Sequence, residues 1–154
     1  MSSYKRQEYD FIVRTKAILE QYETFPLAKE DKFEDTLFLN CLVGLIILPQ
    51  QHWFENLPTD LISKKDWGIE QHQILYITET EIKSVDNIAR HIRNSLAHYR
   101  FEVFGNHKGN ISKIKFKDYY KNKKTFEATI TSKNLKDFAN KFSSYLTEEM
   151  EKQK

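Results

Sequence analysis

Arg90, Arg93, Asn94 and His98 sit close together in the chain, and they are its side chains best suited to act on a phosphate. A guanidinium holds a phosphate through paired hydrogen bonds and stabilises charge that develops on its oxygens. An imidazole, with an ordinary pKa of about 6.5, moves protons at neutral pH. Arg93 is therefore the candidate phosphate binder and His98 the candidate proton carrier, while Asn94 could orient either and Arg90 would add positive field. The same spacing also suits the solvated outward face of a helix, so residue types alone leave both readings open.

The element that must position these residues is a third helix. Val85, Ile88, Ala89, Ile92, Leu96 and Tyr99 recur at helical spacing and predict a helix from about 80 to 99. With Ile92 as origin and about 100° per residue, the apolar stripe falls within about 60°. Asn87, Arg90, Asn94 and His98 fall at about 160–240°, facing away from the chain's own core, and Arg93 at about 100° flanks them. On a straight helix Arg93 and His98 lie about 140° apart. They converge only if the helix ends near His98 or if a second copy supplies the complementary half.

Around this helix the pattern predicts a mainly α fold, with four main helices and a small antiparallel sheet inserted between the third and the last. Phe11, Thr15, Ile18, Tyr22 and Phe25, joined by Ile12 and Leu19, predict a first helix of about 18 residues ending before Pro26. A second begins at Glu30 or Asp31, becomes apolar all round over 41–48 and stops at Pro49. Gly44 within it lowers helix propensity by about 1 kcal/mol, which a close helix crossing would compensate. The segment from 50 to about 78 loses periodicity and reads as a long connection with short helical turns, its indoles Trp53 and Trp67 tucked onto the core.

Three short strands follow, on Phe101 and Val103, on Ile114 and Phe116, and on Phe126, Ala128 and Ile130. Residues 105–110 and 121–124 are their turns. Ser132 or Asn134 caps a last helix carrying Leu135, Phe138, Ala139, Phe142 and Leu146.

The 154 residues are enough for one domain with a sizeable core, taken as 1–154. With 40% hydrophobic and 14% aromatic residues, four Gly and three Pro, the composition excludes a disordered or collagen-like chain. The lone Cys41 reads as a small core residue in a reducing compartment. The mixed charge after Met1 argues against a secretory signal, and the longest apolar stretch is too short to span a membrane, so a cytoplasmic protein is expected.

Net charge is only +2, but nine Lys against Asp118 and Glu127 between 108 and 136 make that region +7 and leave −5 elsewhere. Lys113, Lys115 and Lys117 share one face of a strand at intervals of about 7 Å, a row suited either to tracking a phosphate backbone or to ordinary solvation. Phe104, Tyr119 and Tyr120 could offer stacking surfaces, with core or hairpin packing the expectation. His52, His72, His91 and His107 are scattered, with no Cys partner and no ligand spacing, so no metal is expected; His91 should pack at a helix flank. No Gly-rich phosphate loop and no Gly-x-Ser-x-Gly elbow occurs.

Arg93-Asn94-Ser95-Leu96-Ala97-His98 resembles the Arg-polar-four-to-six-His signature of HEPN domains. Leu39-Asn40-Cys41-Leu42-Val43-Gly44-Leu45-Ile46-Ile47-Leu48-Pro49, Trp67-Gly68-Ile69, Ile114-Lys115-Phe116-Lys117-Asp118 and Phe126-Glu127-Ala128-Thr129-Ile130 are similar to stretches of HEPN family nucleases, some of them plasmid-borne. The resemblance covers nearly the whole chain. It implies a helical bundle that dimerises through its third helices, so that two Arg/His sets form one cleft for single-stranded RNA. It implies cleavage without metal or cofactor: the RNA's 2′-hydroxyl attacks the adjacent phosphate, leaving a 2′,3′-cyclic phosphate and a 5′-hydroxyl. Arg93, His98 and Asn94 would be the catalytic set, and Arg90, Arg100, Lys113, Lys115 and Lys117 the RNA-binding set.

A toxin, phage-defence or stress-response role would follow, with an antitoxin or nucleotidyltransferase as possible partner. The alternative within the family is a non-catalytic module that binds RNA or a nucleotide, or regulates a partner. HEPN toxins paired with a nucleotidyltransferase often carry a Tyr two places after the His. Here Arg100 holds that place and Tyr99, one earlier, lies on the apolar stripe, which argues against inactivation by modifying that Tyr.

Overall fold

A computed structural model describes residues 6–26, 33–47, 49 and 54–153. Helix α1 (Gln7–Thr24) and helix α2 (Glu34–Leu42), which runs on into a π-helical turn (Val43–Ile47), are followed by 3-10 turns at Phe54–Asn56 and Gln71–Gln73. Then come β1 (Ile74–Ile77), α3 (Val85–Ala97), β2 (Phe101–Gly105), β3 (Ile111–Tyr120), β4 (Lys123–Thr131) and α4 (Ser132–Lys152).

The fold is mainly helical with a small antiparallel sheet, but the sheet is not confined to the segment between the third and last helices. It has four strands in the order β1-β4-β3-β2, and β1 precedes α3. Ile74-Leu75-Tyr76-Ile77 shows no polar alternation, and its partner strand lies beyond α3 in the chain, so nothing local marks it as a strand. Within β3 and β4 the alternation is as expected: Ile114, Phe116, Phe126, Ala128 and Ile130 point inward and are buried. They meet Ile88, Ala89 and Ile92 of α3 and Leu135, Phe138 and Phe142 of α4 in one core. Each Ile, Leu and Phe side chain among them contributes about 1.5–3 kcal/mol on burial. The cap of α4 is Thr131 rather than Ser132 or Asn134; its hydroxyl accepts the Asn134 N–H at 3.2 Å.

Helix α1 ends before Pro26 as its spacing predicts, yet it is rotated from the expected stripe: Ile12 and Thr15 are buried while Ile18 and Phe25 are exposed. A Cβ at Gly44 would overlap the Thr15 hydroxyl and lie 3.3 Å from Phe11 Cδ1, so this glycine admits a close crossing of α1 over the π turn. Packing is not apolar all round, since Val43 is exposed. Pro49 still has helical backbone rather than ending it. The expected start at Glu30 or Asp31, and Trp53 and His52, lie outside the described residues. Trp67 is buried as expected, its ring edge-on to Tyr145 at 5.9 Å.

Helix α3 is shorter than the predicted 80–99. It stops at Ala97, His98 caps it, and Tyr99 takes a left-handed conformation (φ 53°) that turns the chain into β2. Tyr99 therefore leaves the helical phase and is 84% exposed instead of joining the apolar stripe. The buried face is centred on Ile88, His91, Ile92 and Ser95. Among the described residues no helix is long and apolar enough to cross a membrane.

Candidate functional site

The polar side of α3 is not an open strip but is engaged by its own protomer. β1 runs into a loop whose turn, closed by the Glu81 N–H on the Thr78 carbonyl at 2.9 Å, presents the Glu81 carboxylate to the helix. Glu81 takes Arg90 Nη2 at 2.9 Å and His91 Nε2 at 2.7 Å. His91 Nδ1 lies 2.8 Å from Asp118 Oδ2, and Asn94 Nδ2 donates to the same oxygen at 3.0 Å. Asn94 Oδ1 in turn accepts Nη2 and Nε of Arg93 at 2.8 and 3.2 Å. A continuous chain thus links Arg90, Glu81, His91, Asp118, Asn94 and Arg93. Asn87 is tied to the same loop through the Ile82 carbonyl at 3.1 Å.

His91 and Asp118 form the buried middle of this chain, at 2% and 4% exposure. The His91 ring stacks on Phe126 with centroids 4.7 Å apart, and both of its contacts are satisfied together when both ring nitrogens carry protons. Burial by itself would raise the Asp118 carboxyl, but hydrogen bonds from His91, Asn94 and the Tyr119 N–H outweigh it and hold the group below its usual range. Glu81 is held low likewise, burial being overcome by Arg90 and His91. Asp118 takes the next inward place after Ile114 and Phe116 on β3, where a carboxylate requires partners.

His98 is exposed at the end of α3, its backbone N–H on the Asn94 carbonyl at 3.0 Å. His98 still makes the helical i→i−4 bond, and the chain leaves the helical path only at the following Tyr99 (φ 53°). Arg93 is bonded to Asn94, not to His98. One copy therefore shows an anchored guanidinium and a separate exposed imidazole, the one chemically suited to hold a phosphate and the other to move a proton.

A protein-family model, HEPN pEK499 p136, matches residues 1–153. The chain belongs to this HEPN family. No curated protein and no solved structure matches it.

In this HEPN chain the remaining basic candidates are spent unevenly. Lys113, Lys115 and Lys117 do share the outer face of β3, but Lys115 pairs with Glu127 and Lys117 with Glu102, each at 2.8 Å. Lys115 and Lys124 together hold the Glu127 carboxyl down to about 2. Arg100 leans over the Tyr119 ring at 5.4 Å and reaches to 3.7 Å from Asp118. Phe104, Tyr119 and Tyr120 are exposed rather than packed in the core or hairpin.

Sequence reasoning missed Glu81, His91 and Asp118 as parts of the site. His91 is not a flank residue but belongs to the buried i, i+3, i+4, i+7 set Ile88, His91, Ile92 and Ser95. Two signals were available: an imidazole inside an apolar helical period, and a carboxylate continuing the inward alternation of a strand. Among the described residues no group of three or more His, Cys, Asp or Glu is arranged to hold a metal.

Proposed function

We propose that this HEPN chain is a metal-independent endoribonuclease acting on single-stranded RNA, with Arg93 and His98 as its reacting side chains and Asn94 as the group that aims Arg93. The observation that carries the reading is the fixed guanidinium. Asn94 alone bonds Arg93, and Asn94 is in turn fixed by Asp118, which His91 and, beyond it, Glu81 hold, so the guanidinium stands at the end of a hydrogen-bonded chain with a buried middle. In the reaction the 2′-oxygen attacks the neighbouring phosphorus, its proton leaves, and the P–O5′ bond breaks as the 5′-oxygen takes up a proton. Arg93 neutralises the phosphate oxygens while His98 carries a proton or places the ribose. Two copies related by a two-fold axis through α3 would bring two such sets to one cleft, in a toxin, defence or stress-response role with an antitoxin or nucleotidyltransferase as possible partner.

Incubation of the whole protein with total RNA in EDTA tests the reading. Wild type releases fragments ending in 2′,3′-cyclic phosphate; Arg93→Ala and His98→Ala release none and keep the wild-type melting temperature. Full activity in either variant sinks it. The ion pairs on Arg90, Lys115 and Lys117 favour a second reading, a module that binds RNA or a nucleotide without cutting it. That module would show salt-dependent affinity but no cyclic-phosphate ends.

A further inference from the structure

Beside the polar side of α3 lies a cleft of about 660 Å³, bounded by the end of β1, the loop that carries Glu81 and the β3–β4 hairpin. Its volume falls within the roughly 300–1,000 Å³ of small-molecule sites. Three tyrosines line it, Tyr76, Tyr119 and Tyr120, and all are exposed, Tyr120 at 67%. Each ring has a cation over it: Lys124 lies 5.5 Å from Tyr76, Arg100 5.4 Å from Tyr119, and Lys121 5.5 Å from Tyr120. Lys123, on the rim, has no ion-pair partner among the described residues.

The hairpin is built to hold these rings out. Lys121 and Asn122 both adopt positive φ (46° and 64°), the two-residue turn that Gly normally fills. The register of β3 on β4 shifts between Asp118 and Tyr119, which interrupts the alternation just where Asp118 turns inward and the tyrosines begin. Bulges of this kind re-aim side chains next to functional sites.

We infer that this cleft is a base-binding subsite for single-stranded RNA, in which Tyr120 and Tyr119 stack on bases beside the cleaved linkage and Lys123 meets a backbone phosphate. Rings interleaved with cations suit a strand of alternating bases and phosphates, and stacking on a ring tolerates any base. Asn94, which bonds the Arg93 guanidinium, is itself one of the residues lining the cleft, and this joins the cleft to the proposed centre. The inference deepens the ribonuclease reading and rests on it for the identity of the strand.

The test measures fluorescence-anisotropy binding of a 2′-O-methyl oligouridine, which cannot be cleaved, to the full chain at low salt. Tyr120→Ala weakens binding about tenfold, within the loss expected for removing one stacked base, while Tyr120→Phe keeps it within about twofold. Lys123→Ala lowers the slope of log affinity against log salt by about 0.7. Wild-type affinity in Tyr120→Ala, equal loss in Tyr120→Phe, or no binding by wild type overturns the subsite. The parent reading fails separately: if His98→Ala cuts RNA as wild type does while Tyr120→Ala still loses the oligouridine, the subsite stands and the assigned nuclease centre falls.

Discussion

Asn94 is the joint between a buried acid–base chain and the guanidinium of Arg93: its amide nitrogen is fixed by Asp118, which leaves its oxygen aimed at Arg93. Removing it should free Arg93 without opening the core. Asn94→Ala is expected to lower single-turnover RNA cleavage about 100-fold, the scale of a small misplacement of a reacting group, with a stability loss of only about 1 kcal/mol from its hydrogen bond to Asp118. A larger fall in stability would mean that Asn94 is structural. Asp118 should behave oppositely. Asp118→Ala removes the acceptor shared by His91 and Asn94 and is expected to cost about 1–3 kcal/mol in urea unfolding, the scale of a buried polar group left without its partner. The sign of the pH effect follows from its lowered pKa: the Asp118 contribution is present above the ordinary value of 3.8 and is lost as pH falls through the folded value. Wild type and Asp118→Ala should therefore converge in stability under acid, which unfolding curves at falling pH would show. That Arg93 and Asn94 share one helix was legible from its apolar period, while their choice as candidates, with His98, rests on the resemblance rather than on spacing. His91 and Asp118 were not legible, because their partnership depends on β3 lying against α3, a contact that no local period encodes.

At the scale of elements, long amphipathic periods carried the sequence reading and short ones failed it. The 18 residues of α1, the buried line of α4 and the alternation of β3 and β4 each repeat often enough to identify themselves. β1 has four residues and an edge position, yet it sets the loop that delivers Glu81 to His91, so the missed strand and the missed network are one omission. Helix α1 crosses the π turn at the close approach that Gly44 permits. Gly44→Ala is accordingly expected to destabilise the fold by about 1–3 kcal/mol, as overpacking does. Thr15→Ala in the same chain should restore part of that loss by removing the hydroxyl in the way, and a double-mutant cycle checks it. Strictly additive effects would show that the crossing is not the reason for the glycine.

At the scale of the whole molecule, the question is what covers the end of α3. Asn87 and Arg90 are bound to the loop of their own protomer, and the exposed residues at the end of the helix are Ala97, His98 and Tyr99. Tyr99 is the most exposed of the large hydrophobic side chains, held outward by a left-handed backbone that a non-glycine residue adopts only at a cost, and aromatic side chains of this kind anchor interfaces. If two copies meet here, each His98 is brought towards the Arg93 of the other, and cleavage requires the pair. Tyr99→Glu then places two like charges at the two-fold axis and is expected to weaken self-association at least tenfold in sedimentation equilibrium. RNA cleavage should fall in step with the dimer fraction and recover at high protein concentration. His98→Ala, by contrast, should abolish cleavage and leave the dimer intact. A Tyr99→Glu chain that sediments as a monomer and cuts RNA at the wild-type rate would place the whole site within one copy and remove the composite cleft from the mechanism.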